Sequence, residues 1–264
     1  MPTRLRQIAL VANNLESTVS TLTTTLDTTV IERDRGVAKF GLHNALLQLG
    51  DTFLEIVSPL PNVDPETTAG GRYLSKFGEG GYMVLMQVDD LHEVEKNLST
   101  LQTIHSGGKS REYVSRKHSP HQKVPLEGIT GTHYHPRDMG CIIEATESSP
   151  KHEWLWAGNE WYKNDPLGSS TRCGCIARVE IATKNPNEIS RQWENNLSLT
   201  RRNKTSNSLW TDDGSEITFR KPLHGGENGP VAIDIFSRSI SLLNVSTVVC
   251  GVVFKFVPNK NSKL

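Results

Sequence analysis

Apolar and polar positions in the first 60 residues follow two periods in turn. Residues 5–12, LRQIALVA, form an apolar run of strand length that one glutamine, Gln7, interrupts. Over 15–26 an apolar residue recurs at every third or fourth position, which predicts a helix, and Asn14 precedes it as an N-cap would. Two short strands near 37–42 and 45–49 and the strand TFLEIVSPL complete the predicted order βαβββ.

The same order recurs further along the chain. A second unit comprises GGYMVLMQVDDL, a helical pattern up to residue 101 and, after the polar excursion 105–125, the strands GITGTHYH and CIIEATES. The excursion could be a lid or an anion-binding loop or, more simply, a solvated loop. A third unit begins with the strand CIARVEIATKNP and a helix that starts at Pro186. Three predicted strands follow: SLWTDD, SEITFRKPL and GPVAIDIFS. TVVCGVVFKFV adds a terminal strand. The predicted organisation is therefore 1–147 as two paired units, 148–172 as a tryptophan-containing linker that packs down, and 173–264 as the third unit.

Aligning the units places polar residues at recurrent positions. Gln7 in the first strand corresponds to Met83 in the second unit and to Arg178 in the third. The last strands carry an aligned acid at Glu55, Glu144 and Asp234. Because side chains alternate along a strand, these acids are expected on one inward face. Arg178 and Asp234 are expected to form a buried ion pair, which leaves the third unit structural.

Charge and cysteine content exclude several classes of protein. Lys+Arg and Asp+Glu number 29 each, so the overall field attracts neither nucleic acid nor an anionic membrane. No apolar run approaches the roughly 20 residues that span a bilayer. Cys141, Cys173, Cys175 and Cys250 form no CxxC pair, which favours free thiols in a reducing compartment.

The last three residues, Ser262-Lys263-Leu264, have the form of a peroxisomal address. For a eukaryotic source we expect a peroxisomal protein that binds the import receptor through this tripeptide. For a bacterial source the match means nothing, and a cytoplasmic protein is expected.

Several stretches resemble the vicinal oxygen chelate superfamily, the glyoxalase-like proteins: RQIALVANNLESTVSTL, GLHNALLQLGDTFLEIVSP, HPRDMGCIIEA and IARVEIATKNP. The resemblance implies an α+β fold in which repeated βαβββ units pair into cup-shaped mixed sheets. It also implies one divalent metal ion (Zn, Mg, Mn or Ni) in the cup. A homodimer is compatible with the family.

Carried over by position, the resemblance gives a candidate ligand set. Gln7, Glu55 and Glu144 fall on ligand positions, whereas the fourth position holds Met83, a poor ligand for a hard ion. Either His133 or His135 could supply the missing metal ligand, and we take His133 as the candidate. The competing interpretation is that Gln7 simply hydrogen-bonds Glu55 in a core without an ion.

The predicted function is that of a glyoxalase-like enzyme acting on a small oxygenated metabolite. Proton transfer, isomerisation or lyase chemistry would use Glu55 or Glu144 as the base, with His135 as a further catalytic group and a metal assisting if one is bound. The alternative is a metal-free protein of the same fold that binds or sequesters a small molecule.

Overall fold

A computed structural model describes residues 2–99, 112–113, 128–158, 161, 170, 172–223 and 227–259. Most of the excursion 105–125 and the tripeptide Ser262-Lys263-Leu264 lie outside these residues. In the described part of the chain, no helix has the length and apolar character needed to cross a bilayer.

Two mixed β-sheets with helices between them form the fold, which confirms the predicted α+β class. The first half contains, in chain order, β1 (Thr3–Val11), α1 (Leu15–Leu26), β2 (Val30–Glu32), β3 (Leu42–Leu49), β4 (Thr52–Pro59), α2 (Ala69–Phe77), β5 (Gly80–Val88), α3 (Leu91–Ser99), β6 (Glu112–Tyr113), β7 (Gly128–Tyr134), α4 (Pro136–Met139) and β8 (Ile142–Ser149). The second half contains β9 (Cys173–Ala182), α5 (Pro186–Asn196), β10 (Ser208–Trp210), β11 (Glu216–Arg220), β12 (Gly229–Ser237), β13 (Ser246–Val249) and β14 (Val252–Pro258).

Local sequence signals explain most of these boundaries. The Asn14 side chain accepts a hydrogen bond from the Ser17 N–H and so caps α1 as predicted. The predicted strand near 37–42 is wrong: Arg35–Phe40 form a 3₁₀ helix. Asp34 caps that helix, and Gly41 ends it with a φ of 70°, a conformation that glycine adopts without strain.

The first sheet has the strand order β2-β3-β4-β1-β5-β8-β7-β6. Its centre is the antiparallel pair β1–β5, and each of these strands also lies parallel to the last strand of its own unit, β4 or β8. The two βαβββ units are therefore related by approximate twofold symmetry and build one continuous sheet.

The second sheet, β10-β11-β9-β12-β14-β13, repeats this scheme with fewer elements. Strand β12 runs antiparallel to β9 as β5 does to β1, and β14 lies parallel to β12 as β8 does to β5. The second half is thus a pair of shortened units, which differs from the predicted single third unit with a closing strand. Asp234 accordingly lies in a first strand rather than a last strand.

One apolar core lies between the two sheets and includes the buried faces of α1, α3 and α5. Leu10 of the first sheet, Val179 of the second and Trp193 of α5 are fully buried there. The first sheet therefore turns one face toward this core and leaves its other face to form a site.

The second sheet holds the expected ion pair. Arg178 donates from Nε and Nη2 to the two oxygens of Asp234, at 2.8 and 3.3 Å. The Asp234 and Arg178 side chains are 11% and 23% exposed, so the pair is only partly desolvated.

We expect Asp234→Ala to lower the free energy of unfolding by about 1–3 kcal/mol, because it leaves the partly buried Arg178 guanidinium with only the longer contact to Glu180, at 3.7 Å. Urea titration of the full chain measures this. The matched control is Asp89→Ala, which removes the partner of Lys151, a side chain that is 62% exposed; that variant should lose well under about 1 kcal/mol. Equal losses in the two variants would contradict a structural role for the Arg178–Asp234 pair.

Candidate active site

The face of the first sheet that points away from the core, here called the cup face, carries the polar residues singled out in the sequence. Ala9 separates Glu55 from Met83 in one row across the strands. In the next row Leu85 separates Gln7 from Glu144, whose other neighbour is His133. Tertiary pairing thus brings together Gln7, Glu55, Glu144 and His133 from four strands of one sheet, β1, β4, β8 and β7.

The amide of Gln7 is oriented by two neighbours. Its Oε1 accepts a hydrogen bond from the indole N–H of Trp154 at 2.8 Å. Its Nε2 donates to Glu55 Oε2 at 2.9 Å. Because the indole can only donate, the Gln7 oxygen must face Trp154 and the NH₂ group must face Glu55.

Asn44 on β3 aims a second amide at the same carboxyl group. Its Oδ1 accepts from the Asp34 N–H at 2.8 Å, and its Nδ2 donates to Glu55 Oε1 at 2.6 Å. Asn44 is not among the residues that the strand alignment singles out. The signal was the alternation Leu42-Asn44-Leu46-Gln48, which places amide side chains between apolar ones on one strand face.

Burial raises the pKa of Glu55 from its ordinary 4.5 to about 7, although the hydrogen bonds from Asn44 and Gln7 oppose the shift. The negative charge of Glu144 acts in the same direction as burial. Glu55 therefore exchanges a proton near neutral pH, which is the range in which a general base or acid is most effective.

Glu144 forms a second cluster on the symmetry-related strand. Its Oε1 accepts from Thr146 Oγ1 at 2.7 Å and from the indole N–H of Trp156 at 2.9 Å. Its Oε2 lies 2.6 Å from Nε2 of His133, whose side chain is 28% exposed. Glu144 thus fixes the imidazole at the solvent-facing side of the cup.

The tryptophan-containing segment covers one end of the cup face. Trp154, fully buried, and Trp161 pack with Phe53 and Leu85 in an apolar cluster. A second apolar cluster around Tyr82 covers the opposite end. Between the two clusters, Met83, Ile142 and His133 are partly exposed, so solvent reaches the cup face beside Ala9.

His135 lies outside this arrangement. It follows the end of β7, is exposed, and caps the short helix α4 by accepting the Arg137 N–H on Nδ1 at 3.1 Å. The structure therefore separates His135 from the clustered residues Gln7, Glu55, Glu144 and His133.

The hydrogen bonds of the cup do not fit a divalent ion. A metal would bind the Gln7 oxygen, which faces Trp154, and the Glu55 oxygens, which accept amide N–H groups. His133 Nε2 is occupied by Glu144, and Met83 holds the fourth family position. Within the described residues no group of three or more His, Cys, Asp or Glu side chains is arranged to hold a metal ion.

We accordingly expect the protein, purified without a tag or chelator, to contain much less than one equivalent of Zn, Mg, Mn or Ni. Elemental analysis measures this, with Glu55→Ala as the matched variant. A stoichiometric metal that disappears in Glu55→Ala would contradict the assignment and make Gln7 a ligand.

Comparison with known families and structures identifies the architecture. The family described as a glyoxalase-like domain matches residues 8–197. No curated protein matches the sequence significantly. A hypothetical protein from Staphylococcus aureus superposes with a TM-score of 0.65 at 12% identity, covering 97% of this chain and 100% of that chain. At this identity the likeness concerns the fold alone.

Two methylmalonyl-CoA epimerase structures superpose on a smaller part of the chain. The Mycobacterium tuberculosis epimerase is 19% identical with a TM-score of 0.42, covering 56% of this chain and 89% of that chain. A Streptomyces coelicolor epimerase in complex with 2-nitronate-propionyl-CoA is 22% identical with a TM-score of 0.43, covering 56% of this chain and 99% of that chain.

Proposed function

Because this chain belongs to the glyoxalase-like domain family of the vicinal oxygen chelate superfamily, we propose that it is an enzyme that moves a proton at a carbon next to a carbonyl group. Its substrate would be a small oxygenated metabolite bound on the cup face. The observation that carries the proposal is the buried carboxyl group of Glu55, which two oriented amides hold in place and whose pKa burial raises to about 7.

In this proposal Glu55 is the general base. The C–H bond of the substrate breaks, its electron pair moves toward the carbonyl oxygen to form an enolate, and the proton goes to a Glu55 oxygen. The amides of Gln7 and Asn44 keep the carboxyl group in place throughout, because each amide oxygen is itself held by another N–H group.

His133, oriented by Glu144, is the second proton-handling group. Ala9 and Leu85 lie between Glu55 and His133 on the cup face. A substrate bound over Ala9 and Leu85 would therefore have a proton-handling group on either side. A proton returned to the same carbon gives epimerisation, one delivered to a neighbouring atom gives isomerisation, and loss of a β-substituent from the enolate gives lyase chemistry.

The test is exchange of the α-proton with solvent. Wild-type protein in D₂O is incubated with a panel of 2-oxo acids, 2-hydroxy acids and aldehydes, and proton NMR follows deuterium incorporation. We expect at least one compound to exchange, with a rate that rises with pH and levels off above about 7, as the base form of Glu55 does. Absence of exchange across the panel and across pH 5–9 would oppose the proposal.

The second candidate function is that of a metal-free binding protein. It is favoured by the indole N–H groups of Trp154 and Trp156, which occupy acceptors that a substrate could otherwise use. Saturable binding of a panel compound without any proton exchange would support this second candidate.

A further inference from the structure

We propose that Arg6 is the carboxylate-binding residue of the cup, so that the substrates of this site are small organic acids. The inference rests on the proposed function, since it names the substrate class of the same site.

A β-bulge places the Arg6 side chain in the cup. Leu5 pairs with Met86 and Gln7 pairs with the next residue of β5, Leu85, so Arg6 is an extra residue in β1. A bulge of this kind re-aims a side chain that would otherwise point to the opposite face. Arg6 and Gln7, although adjacent in sequence, both contact Trp154.

The surroundings of the Arg6 guanidinium are aromatic. Its central carbon lies 5.8, 5.6 and 5.3 Å from the ring centroids of Phe53, Trp154 and Trp161. Arg6 is only 2% exposed. Such surroundings stabilise a cation but supply no acceptor for the guanidinium N–H groups in its plane.

One edge of the guanidinium is unpaired. Nη1 donates to Asp51 Oδ2 at 3.2 Å, whereas Nε and Nη2 are buried without a hydrogen-bond partner in the described part of the chain. Unpaired buried donors are costly and rare in folded proteins, and the missing acceptor can be supplied by a bound ligand, ion or water molecule.

Another arginine of the same chain shows which group binds to this edge. In the second sheet Arg178 uses its own Nε and Nη2 to hold both oxygens of Asp234. Arg6 presents the same two donors with no internal carboxylate against them. A planar carboxylate fits this edge with two parallel hydrogen bonds.

The guanidinium contacts a residue that is close to Glu55 on the same strand. Phe53, which the guanidinium contacts, and Glu55 lie two residues apart on β4, a separation of roughly 7 Å. A substrate whose carboxylate binds Arg6 therefore places a carbon a few bonds away beside Glu55. Asp51, which pairs with Nη1, has a side chain that is 50% exposed, so the guanidinium lies just beneath the surface.

Three charged side chains act on Arg6. Asp51 accepts from Nη1, and Arg4 and Asp213 affect the pKa of Arg6 in opposite directions. Neither acid is hydrogen-bonded to Nε or Nη2 in the described part of the chain. Burial lowers the pKa of Arg6 to about 10, so the guanidinium keeps its charge at neutral pH.

The test is calorimetric titration of the full chain with pyruvate, with hydroxyacetone as the uncharged analogue of similar size, and with inorganic phosphate. We expect pyruvate to bind at least about tenfold more tightly than either of the other two. Equal affinity for pyruvate and hydroxyacetone, or tighter binding of phosphate, would overturn the inference.

Two variants locate the effect. Arg6→Met should lose the preference for pyruvate, and Arg6→Lys should lose most of it, because an ammonium group lacks the two-donor edge. The matched control is Arg4→Met, which removes the same charge from a nearby arginine. Because Arg4 donates a hydrogen bond to the Lys151 carbonyl oxygen, this variant should bind pyruvate as wild type does. If Arg6→Met does not fold, Arg6→Lys decides, and wild-type affinity in it overturns the inference.

Glu55→Gln separates this inference from the proposed function. The variant should bind pyruvate as wild type does while losing proton exchange. Exchange without any preference for carboxylates would end the inference and leave the proposed function standing. Carboxylate binding without proton exchange in the wild type would contradict the proposed function and leave the inference about Arg6 standing.

Discussion

Replacing Glu55 with glutamine should reduce the rate of α-proton exchange by about 10²- to 10⁴-fold, the usual contribution of a positioned general base. Glutamine keeps the size and shape of the side chain but cannot accept a proton. NMR measurement of deuterium incorporation, with any panel compound that exchanges with wild-type protein, gives the ratio directly.

The matched control for this prediction is Asp234→Asn. It makes the same change from carboxylate to amide on the second sheet, where the acid is bonded to Arg178. We expect it to lower stability and to leave the exchange rate of the folded protein near that of wild type. Similar rate losses in the two variants would show that exchange depends on general integrity of the fold rather than on Glu55.

Conformational stability should decrease by about 3 kcal/mol as the pH rises from about 4.5 to above 7, through Glu55 alone. Burial raises the pKa of this group from 4.5 to about 7 in the folded state. Between these values the folded chain binds more protons than the unfolded chain, so unfolding becomes easier as the pH rises. The stabilising contribution is complete below the unfolded pKa and is lost as the pH passes through the folded pKa.

Urea titrations at pH 5 and pH 8 test this sign. Other groups also titrate over this interval, so the informative quantity is the difference between wild type and Glu55→Gln. Between these two pH values the variant should lack a fall of about 2.5 kcal/mol, whereas Asp234→Asn should retain it. A parallel pH dependence in wild type and Glu55→Gln would mean that Glu55 keeps an ordinary pKa in the folded protein.

The two predictions have one physical origin. The desolvation that makes Glu55 a base near neutral pH also makes the folded protein less stable when that base is ionised. The amides of Gln7 and Asn44 limit this cost because they donate to both oxygens of the carboxyl group. A site of this kind trades stability for reactivity.

The sequence by itself determined most of the elements of the first half and their repetition as two units. The change from the apolar run at residues 5–12 to a three-to-four-residue period predicted β1 and α1, and Asn14 fixed where the helix begins. These signals are local, because a cap or a helix face involves residues within a few positions of one another. They also placed Gln7, Glu55 and Glu144 on strand positions, and alignment of the units paired Arg178 with Asp234.

Local signals gave wrong predictions where a few residues are compatible with two kinds of secondary structure. Residues 37–42 have the apolar content of a strand, yet Asp34 and Gly41 bound a 3₁₀ helix over Arg35–Phe40. The second half was likewise divided differently from the prediction, because only strand pairing shows that β12 begins a new unit.

Tertiary structure alone decided the chemistry of the cup. Trp154 is 147 positions from Gln7, yet its indole N–H turns the amide so that the NH₂ group, rather than the oxygen, faces Glu55. That orientation disfavours a metal ion and favours a proton-exchanging carboxyl group. The bulge at Arg6 similarly depends on the register between β1 and β5. Orientation of an amide and register of a strand are set by partners distant in sequence, and for that reason the order of residues along the chain does not reveal them.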